Sequence, residues 1–145
     1  MLTEAALQAW GELIGRQVRP PLVLALRGDL GAGKSTLARA IAHGAGVEGA
    51  VPSPTFNLRF SYGAPGGVQV HHLDLYRLQH ADQVWELGWE ELGSDSDLVL
   101  IEWPERAEAL LSPDRWEITL ETESPTTRRV HPVRVGNPGE LPPLP

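Results

Sequence analysis

A glycine-rich stretch near the amino terminus, GDLGAGKST at residues 28–36, has the composition of a phosphate-binding loop. Within it, Gly28, Gly33, Lys34 and Ser35 match the pattern G-x-x-x-x-G-K-[ST]. Glycines leave the main-chain N–H groups open to an anion, and a helix that begins at the lysine turns its positive end towards the same anion. The stretch therefore predicts a site for a nucleotide triphosphate.

Some side chains of this loop are expected to contact the phosphates, and one is expected to bind a metal ion. We predict that Lys34 reaches the β- and γ-phosphates, that the Ser35 hydroxyl ligates Mg²⁺ and that Thr36 contacts the α-phosphate. Lys34 is the only lysine of the sequence, so a flexible point charge is used here and arginine everywhere else. The remaining loop positions expected to contact the nucleotide are Gly28, Asp29, Leu30, Gly31, Ala32 and Gly33.

Two carboxylates follow predicted strands. Glu102 comes directly after the apolar run 98–101, where it could hold the metal or its waters, because the strands of such a sheet present their carboxyl ends to the ligand. Asp74 also ends a strand, although a turn cap is an alternative role for it. His71 and His72 alternate across that strand, so at most one of them faces the site, and a structural role is expected for both.

Other polar and aromatic positions allow two interpretations each. Ser53 and Thr55 follow the first crossover helix, where nucleotide switches place a hydroxyl near the γ-phosphate, but an X-Pro turn would also explain them. Trp103 could belong to the core or to the rim of the site. Arg77 could approach a phosphate or pair with an acid such as Glu86.

The composition excludes several classes of protein. The formal charge of −7 argues against a chain that binds DNA or RNA by itself, because phosphate backbones are held by a basic face. The sequence has no cysteine, which excludes disulfides, thiolate nucleophiles and zinc sites with cysteine ligands. Its five histidines show no metal-ligand spacing. Neither a signal peptide nor a membrane-spanning apolar run is present, so we expect a cytoplasmic protein without membrane contact.

The elements that must position these residues alternate between apolar strands and amphipathic helices. Strands are predicted at about residues 22–26, 56–62, 68–73, 97–103, 115–121 and 127–135, and helical segments at about 2–18, 34–45, 81–92 and 104–111. This order predicts an α/β fold, a P-loop NTPase with a mixed, mainly parallel central sheet flanked by helices. Residues 1–136 would form one domain, and residues 137–145 a disordered tail rich in proline.

The chemistry expected of this site is hydrolysis of ATP. A guanine-specific enzyme would carry an N-K-x-D motif, which is excluded because the only lysine lies in the loop. A small-molecule kinase usually has a mobile, arginine-rich lid, and no insertion here is long or basic enough to form one. The kinase and a regulator that binds nucleotide with little hydrolysis remain as alternatives.

Five motifs, GDLGAGKST, SPTFNL, HLDLYRL, ELGWEE and IEWPER, occur in an order and at intervals that resemble the TsaE family. The similarity covers about residues 4–120 and rests mainly on the four later motifs. It implies a cytoplasmic ATPase that is weak alone and turns over when bound to TsaB and TsaD. These partners transfer a threonylcarbamoyl group to an adenosine of tRNA, so this chain would act on tRNA only indirectly.

The resemblance also implies roles for individual residues. Lys34 would hold the phosphates, and Ser35 with Glu102 would hold Mg²⁺. Asp74 corresponds to an acidic switch residue that is important for hydrolysis. The remaining matches are Trp103, after the metal-site glutamate, and Thr55, in a loop like the switch of other nucleotide hydrolases.

Overall fold

The computed structural model describes residues 1–49 and 58–145, which form two α-helices, seven β-strands and four short 3-10 helices. The helices are α1 (Glu4–Gln17) and α2 (Lys34–Gly44); the strands are β1 (Leu2–Thr3), β2 (Leu22–Arg27), β3 (Arg59–Gly63), β4 (Gln69–Asp74), β5 (Asp97–Glu102), β6 (Arg115–Ser124) and β7 (Thr127–Val135). The 3-10 helices cover Pro65–Gly67, Ala81–Leu87, Trp89–Glu91 and Pro104–Leu110. The predicted site residues Ser53 and Thr55 lie outside the described residues.

All seven strands join one sheet in the order β1-β7-β6-β2-β5-β4-β3. The four central strands β6, β2, β5 and β4 pair in parallel, and the outer strands pair antiparallel. The predicted α/β fold with a mixed, mainly parallel sheet is therefore confirmed. The carboxyl ends of β2, β4 and β5 meet at one edge of the sheet, which is where a ligand of such a fold binds.

Both faces of the central strands are covered, which explains their continuous apolar sequences. Helices α1 and α2 pack on one face, where Trp10, Leu37 and Ile41 are buried with the side chains of β2. Three of the 3-10 helices, Ala81–Leu87, Trp89–Glu91 and Pro104–Leu110, cover the other face, around Leu73 and Ile101. All six residues of β5 are buried, as expected for a strand enclosed on two sides. No helix in the described ranges is long and apolar enough to cross a bilayer.

Two helical segments differ from their predicted form. The first helix starts at Glu4 because Thr3 caps it, its hydroxyl accepting the N–H of Ala6 at 3.1 Å. The segment at 104–110 is a 3-10 helix with a kink, since Ala107 has φ −139° and ψ 37°. Ala107 is 1% exposed, so the kink accompanies burial of a small side chain against β5 and its neighbours.

The proline-rich segment at 137–145, which the sequence predicts to be a disordered tail, contacts two tryptophans of the domain. It contains neither a helix nor a strand, yet the indole N–H of Trp10 donates to the Pro142 carbonyl at 3.1 Å. The indole N–H of Trp116 donates to the Gly139 carbonyl at 2.6 Å. Prolines have no N–H group of their own to satisfy, so a segment rich in proline can pack through its carbonyls alone.

Candidate functional site

The glycine loop connects β2 to α2, and its backbone requires residues without a side chain. Gly28, Gly31 and Gly33 have φ values of 143°, 80° and 107°, in the region that L side chains rarely adopt. Gly33 is the residue before α2 and has no side chain to cap it. The first N–H groups of α2 therefore have no side-chain cap from this residue, and the N–H groups at this end of a helix are the ones that bind anions.

Gly28 should be the least replaceable of these glycines. A Cβ atom there would lie 2.4 Å from the Leu120 carbonyl oxygen, whereas one at Gly31 would meet nothing within 4 Å. Gly28→Ala should thus lower the free energy of unfolding by about 3 kcal/mol, from strain and steric clash together. Gly31→Ala is the matched control and should cost about 1 kcal/mol, from its positive φ alone. Urea unfolding measures both, and equal losses would contradict the steric argument.

Lys34 is enclosed by the loop that precedes it. The residue is 5% exposed, and Nζ donates to the carbonyl oxygens of Gly28 and, at 3.0 Å, of Asp29. Nζ also lies 4.2 Å from the centroid of the Trp103 ring, within the range of a cation–π interaction. Burial lowers the pKa of Lys34, and the negative charge of Glu102 opposes that shift. A charge kept at such a cost is typical of a functional site.

Ser35 and Glu102 meet beside the lysine. Ser35 Oγ donates to Glu102 Oε1 at 2.9 Å, and Glu102 is 2% exposed at the end of β5. The prediction that the serine and the glutamate lie together is therefore supported by direct contact. Hard oxygen donors of this kind are the ligands that Mg²⁺ prefers. The described residues contain no cluster of three or more His, Cys, Asp or Glu side chains that could hold a metal, so Mg²⁺ here would need further oxygens from nucleotide or water.

Asp74 lies next to Glu102, because the two residues pair in register across β4 and β5. Burial raises the pKa of Asp74, and the charge of Glu102 adds to the shift. Asp74 Oδ1 also accepts the N–H of Tyr76 at 3.0 Å, so this side chain caps a turn and faces the site at once. Asp74 is therefore both a turn cap and a carboxylate of the site, which are the two roles that the sequence allowed.

These residues surround one cavity of about 400 Å³ at the carboxyl edge of the sheet. Its lining consists of Leu30, Gly31, Gly33, Lys34, Ser35, Thr36, Leu58, Asp74, Tyr76, Arg77, Glu102 and Trp103. Three predicted loop positions lie elsewhere, since Gly28, Asp29 and Ala32 border a separate depression beside β6. Arg77 is thus placed at the cavity, as one of its two interpretations required.

The sequence matches the family model "Threonylcarbamoyl adenosine biosynthesis protein TsaE" over residues 1–130. The chain belongs to the TsaE family. A tRNA threonylcarbamoyladenosine biosynthesis protein TsaE from Rickettsia felis is 40% identical over 111 residues, 76% of this chain and 64% of that protein, so the chain spans a little under two thirds of that relative. The protein of the same name from Bacillus subtilis is 33% identical over 92% of this chain and 83% of its own length.

A solved structure shares the fold of this chain. The crystal structure of YdiB from Bacillus subtilis superimposes with a TM-score of 0.73 at 26% sequence identity, covering 94% of this chain and 83% of the other. The α/β architecture of this TsaE-family chain is therefore shared over 94% of the chain.

Two residues of the TsaE-family site escaped prediction. Tyr76 lines the cavity and contacts Trp103, with ring centroids 4.8 Å apart and the rings tilted by 47°. Trp103 itself has a left-handed backbone at φ 58°. His72 bonds to Glu102, although a structural role was expected for it. The signal for His72 was available, because a residue two positions before Asp74 on a strand shares its face. His71 points the other way, as the alternation predicted.

Proposed function

We propose that this TsaE-family chain is an ATPase of tRNA threonylcarbamoyladenosine biosynthesis, which hydrolyses ATP when bound to TsaB and TsaD in the cytoplasm. The observation that carries the proposal is the convergence of Lys34, Ser35, Asp74 and Glu102 on one cavity at the carboxyl edge of the sheet. Family membership supports the pathway, and the site supports the reaction.

The proposed nucleotide is ATP with Mg²⁺. The loop N–H groups and Lys34 would hold the phosphates, and the single lysine of the chain excludes an N-K-x-D guanine site. Ser35 and Glu102 would hold Mg²⁺, since a hydroxyl that donates its proton to a carboxylate can still bind a cation through its oxygen. Mg²⁺, when bound, would neutralise charge on the phosphates. Trp103 would close the cavity over Lys34.

Asp74 is the side chain best suited to act on the attacking water. It lines the cavity two strand positions from His72 and beside Glu102. Burial raises its pKa, which makes the carboxylate a better proton acceptor than an exposed aspartate. We propose that Asp74 orients the water and accepts its proton, and that no covalent intermediate forms.

The partners would supply the contacts to tRNA. A chain of formal charge −7 is repelled by a phosphate backbone, so TsaB and TsaD would bind the tRNA while this chain binds ATP. ATP hydrolysis would then change the conformation of the complex, and this change would support the reaction on tRNA.

The test is Mg²⁺-dependent ATP hydrolysis by the purified chain, alone and with TsaB and TsaD from the same organism. We expect the pair to stimulate hydrolysis about 10-fold or more. Asp74→Asn should keep ATP binding and lose about 100-fold in rate, and Lys34→Ala is the blank. Tight ATP binding without stimulation of hydrolysis by TsaB and TsaD would contradict their assignment as partners. Transfer of the γ-phosphate to a metabolite would establish the kinase alternative instead.

A further inference from the structure

His72 is joined to the candidate metal site through one hydrogen bond. The residue is fully buried, at 0% exposure, and its Nε2 lies 2.5 Å from Glu102 Oε2. The other oxygen of Glu102 accepts the Ser35 hydroxyl at 2.9 Å. Side chains from β4, β5 and α2 therefore form a continuous chain that ends at a predicted ligand of Mg²⁺.

The direction of the hydrogen bond between His72 and Glu102 follows from the second ring nitrogen of His72. His72 Nδ1 is buried and has no hydrogen-bond partner among the described residues. A proton on Nδ1 would be a buried donor without an acceptor, which costs about 1–3 kcal/mol. The hydrogen bond is thus one in which Nε2 donates to Glu102 Oε2. Packing alone does not explain a polar ring at this position, since an apolar residue would leave no unpartnered nitrogen.

The bond fixes how the carboxylate of Glu102 is turned. A carboxylate can rotate about its last single bond, but two hydrogen bonds from two different elements hold its plane. The orientation of Glu102 then sets the direction in which Ser35 donates its proton, and so the direction in which the serine oxygen can face a cation. Groups behind metal ligands commonly act in this way.

From this geometry we infer that His72 is a positioning residue, which orients Glu102 and, through it, Ser35 for Mg²⁺. The inference rests on the proposed function, because it concerns the metal of that same site. It adds a residue that acts without touching nucleotide or metal.

The neighbouring histidine provides a matched control. His71 also bonds to a buried carboxylate of β5, with Nε2 3.1 Å from Asp97 Oδ1, but at the opposite end of the strand. Its Nδ1 is bonded to Ser61 Oγ at 2.8 Å. The two pairs share strands and burial, and differ in whether they reach the cavity.

The experiment compares the dissociation constant of ATP in Mg²⁺ and in EDTA for the full chain and its variants. His72→Leu should lose about 10- to 100-fold of the tightening caused by Mg²⁺, with its affinity in EDTA unchanged within about 2-fold. His72→Gln should recover most of the tightening, because its amide N–H can reach Glu102. His71→Leu should lower the melting temperature and leave the Mg²⁺ effect as in the wild type.

The outcomes separate the inference from the proposed function. An Mg²⁺ effect in His72→Leu equal to that in His71→Leu would overturn the inference and leave the ATPase proposal in place. A wild-type chain that binds ATP equally in Mg²⁺ and EDTA would overturn the metal site and the inference together. If His72→Leu does not fold, His72→Asn makes the same test, because its shorter amide does not reach Glu102.

Discussion

Lys34→Met should reduce ATP hydrolysis with TsaB and TsaD about 1000-fold while the nucleotide-free protein melts at an equal or higher temperature. The loss follows because the charge that stabilises the phosphates in the transition state is removed. Stability should not fall, because burial lowers the pKa of Lys34 and the folded chain carries the cost of that buried charge. Hydrolysis rates and calorimetric melting temperatures of the same preparation check both parts.

Two further variants make this prediction specific to the loop. Lys34→Arg keeps the charge but replaces a compact ammonium by a planar fork, and should remain inactive. Arg39→Met removes a cation from the same helix, at a position outside the cavity lining, and should hydrolyse ATP as the wild type does. Full activity in Lys34→Met, or a loss in Arg39→Met as large as in Lys34→Met, would show that the loop lysine has no special role.

The glycine loop and Glu102 were predictable because their chemistry is local in the sequence. The glycine pattern from Gly28 to Ser35 predicts the backbone conformation of the loop directly. Apolar runs identify β2 and β5 without knowledge of the fold. The rule that parallel strands present their carboxyl ends at one edge then brings the serine and the glutamate together. The contact of 2.9 Å between them agrees with that argument.

The remaining parts of the site depend on strand pairing and turn geometry. The sequence places His72 on the same face as Asp74, but it does not specify which residue of β5 lies opposite. His72 reaches Glu102 because Asp74 and Glu102 are paired across β4 and β5. A shift of one residue would have turned His71 towards the site instead. The contact of Tyr76 with Trp103 likewise needs the left-handed turn after β5, and no glycine in the sequence marks that turn.

The packed tail has a similar explanation. Its contacts join Trp10 in α1 and Trp116 in β6 to carbonyls more than twenty residues away in sequence. Composition predicted disorder because it counts the residues that favour helices and strands. Composition does not show that indole N–H groups elsewhere in the chain need an acceptor when they are buried.

Glu102→Gln should lower Mg²⁺-dependent hydrolysis by about 100- to 1000-fold and leave ATP binding in EDTA unchanged or tighter. The amide has nearly the shape of the carboxylate, so the chain should fold, but the negative charge facing Mg²⁺ is lost. ATP binding in EDTA should not weaken, because a buried anion beside the phosphates has been removed. Rates in Mg²⁺ and dissociation constants in EDTA measure the two effects separately.

A second consequence concerns the alkaline limit of ATP binding. Glu102 is the charge that most strongly raises the pKa of Lys34 against the effect of burial. Without it the pKa of Lys34 falls further, so the lysine loses its proton at lower pH and ATP binding in EDTA should weaken at lower pH than in the wild type. Asp97→Asn, at the other end of β5 and bonded to His71, should shift neither rate nor pH limit. If both variants behave alike, the effect belongs to the stability of β5, and the charge of Glu102 has no separate part in the reaction.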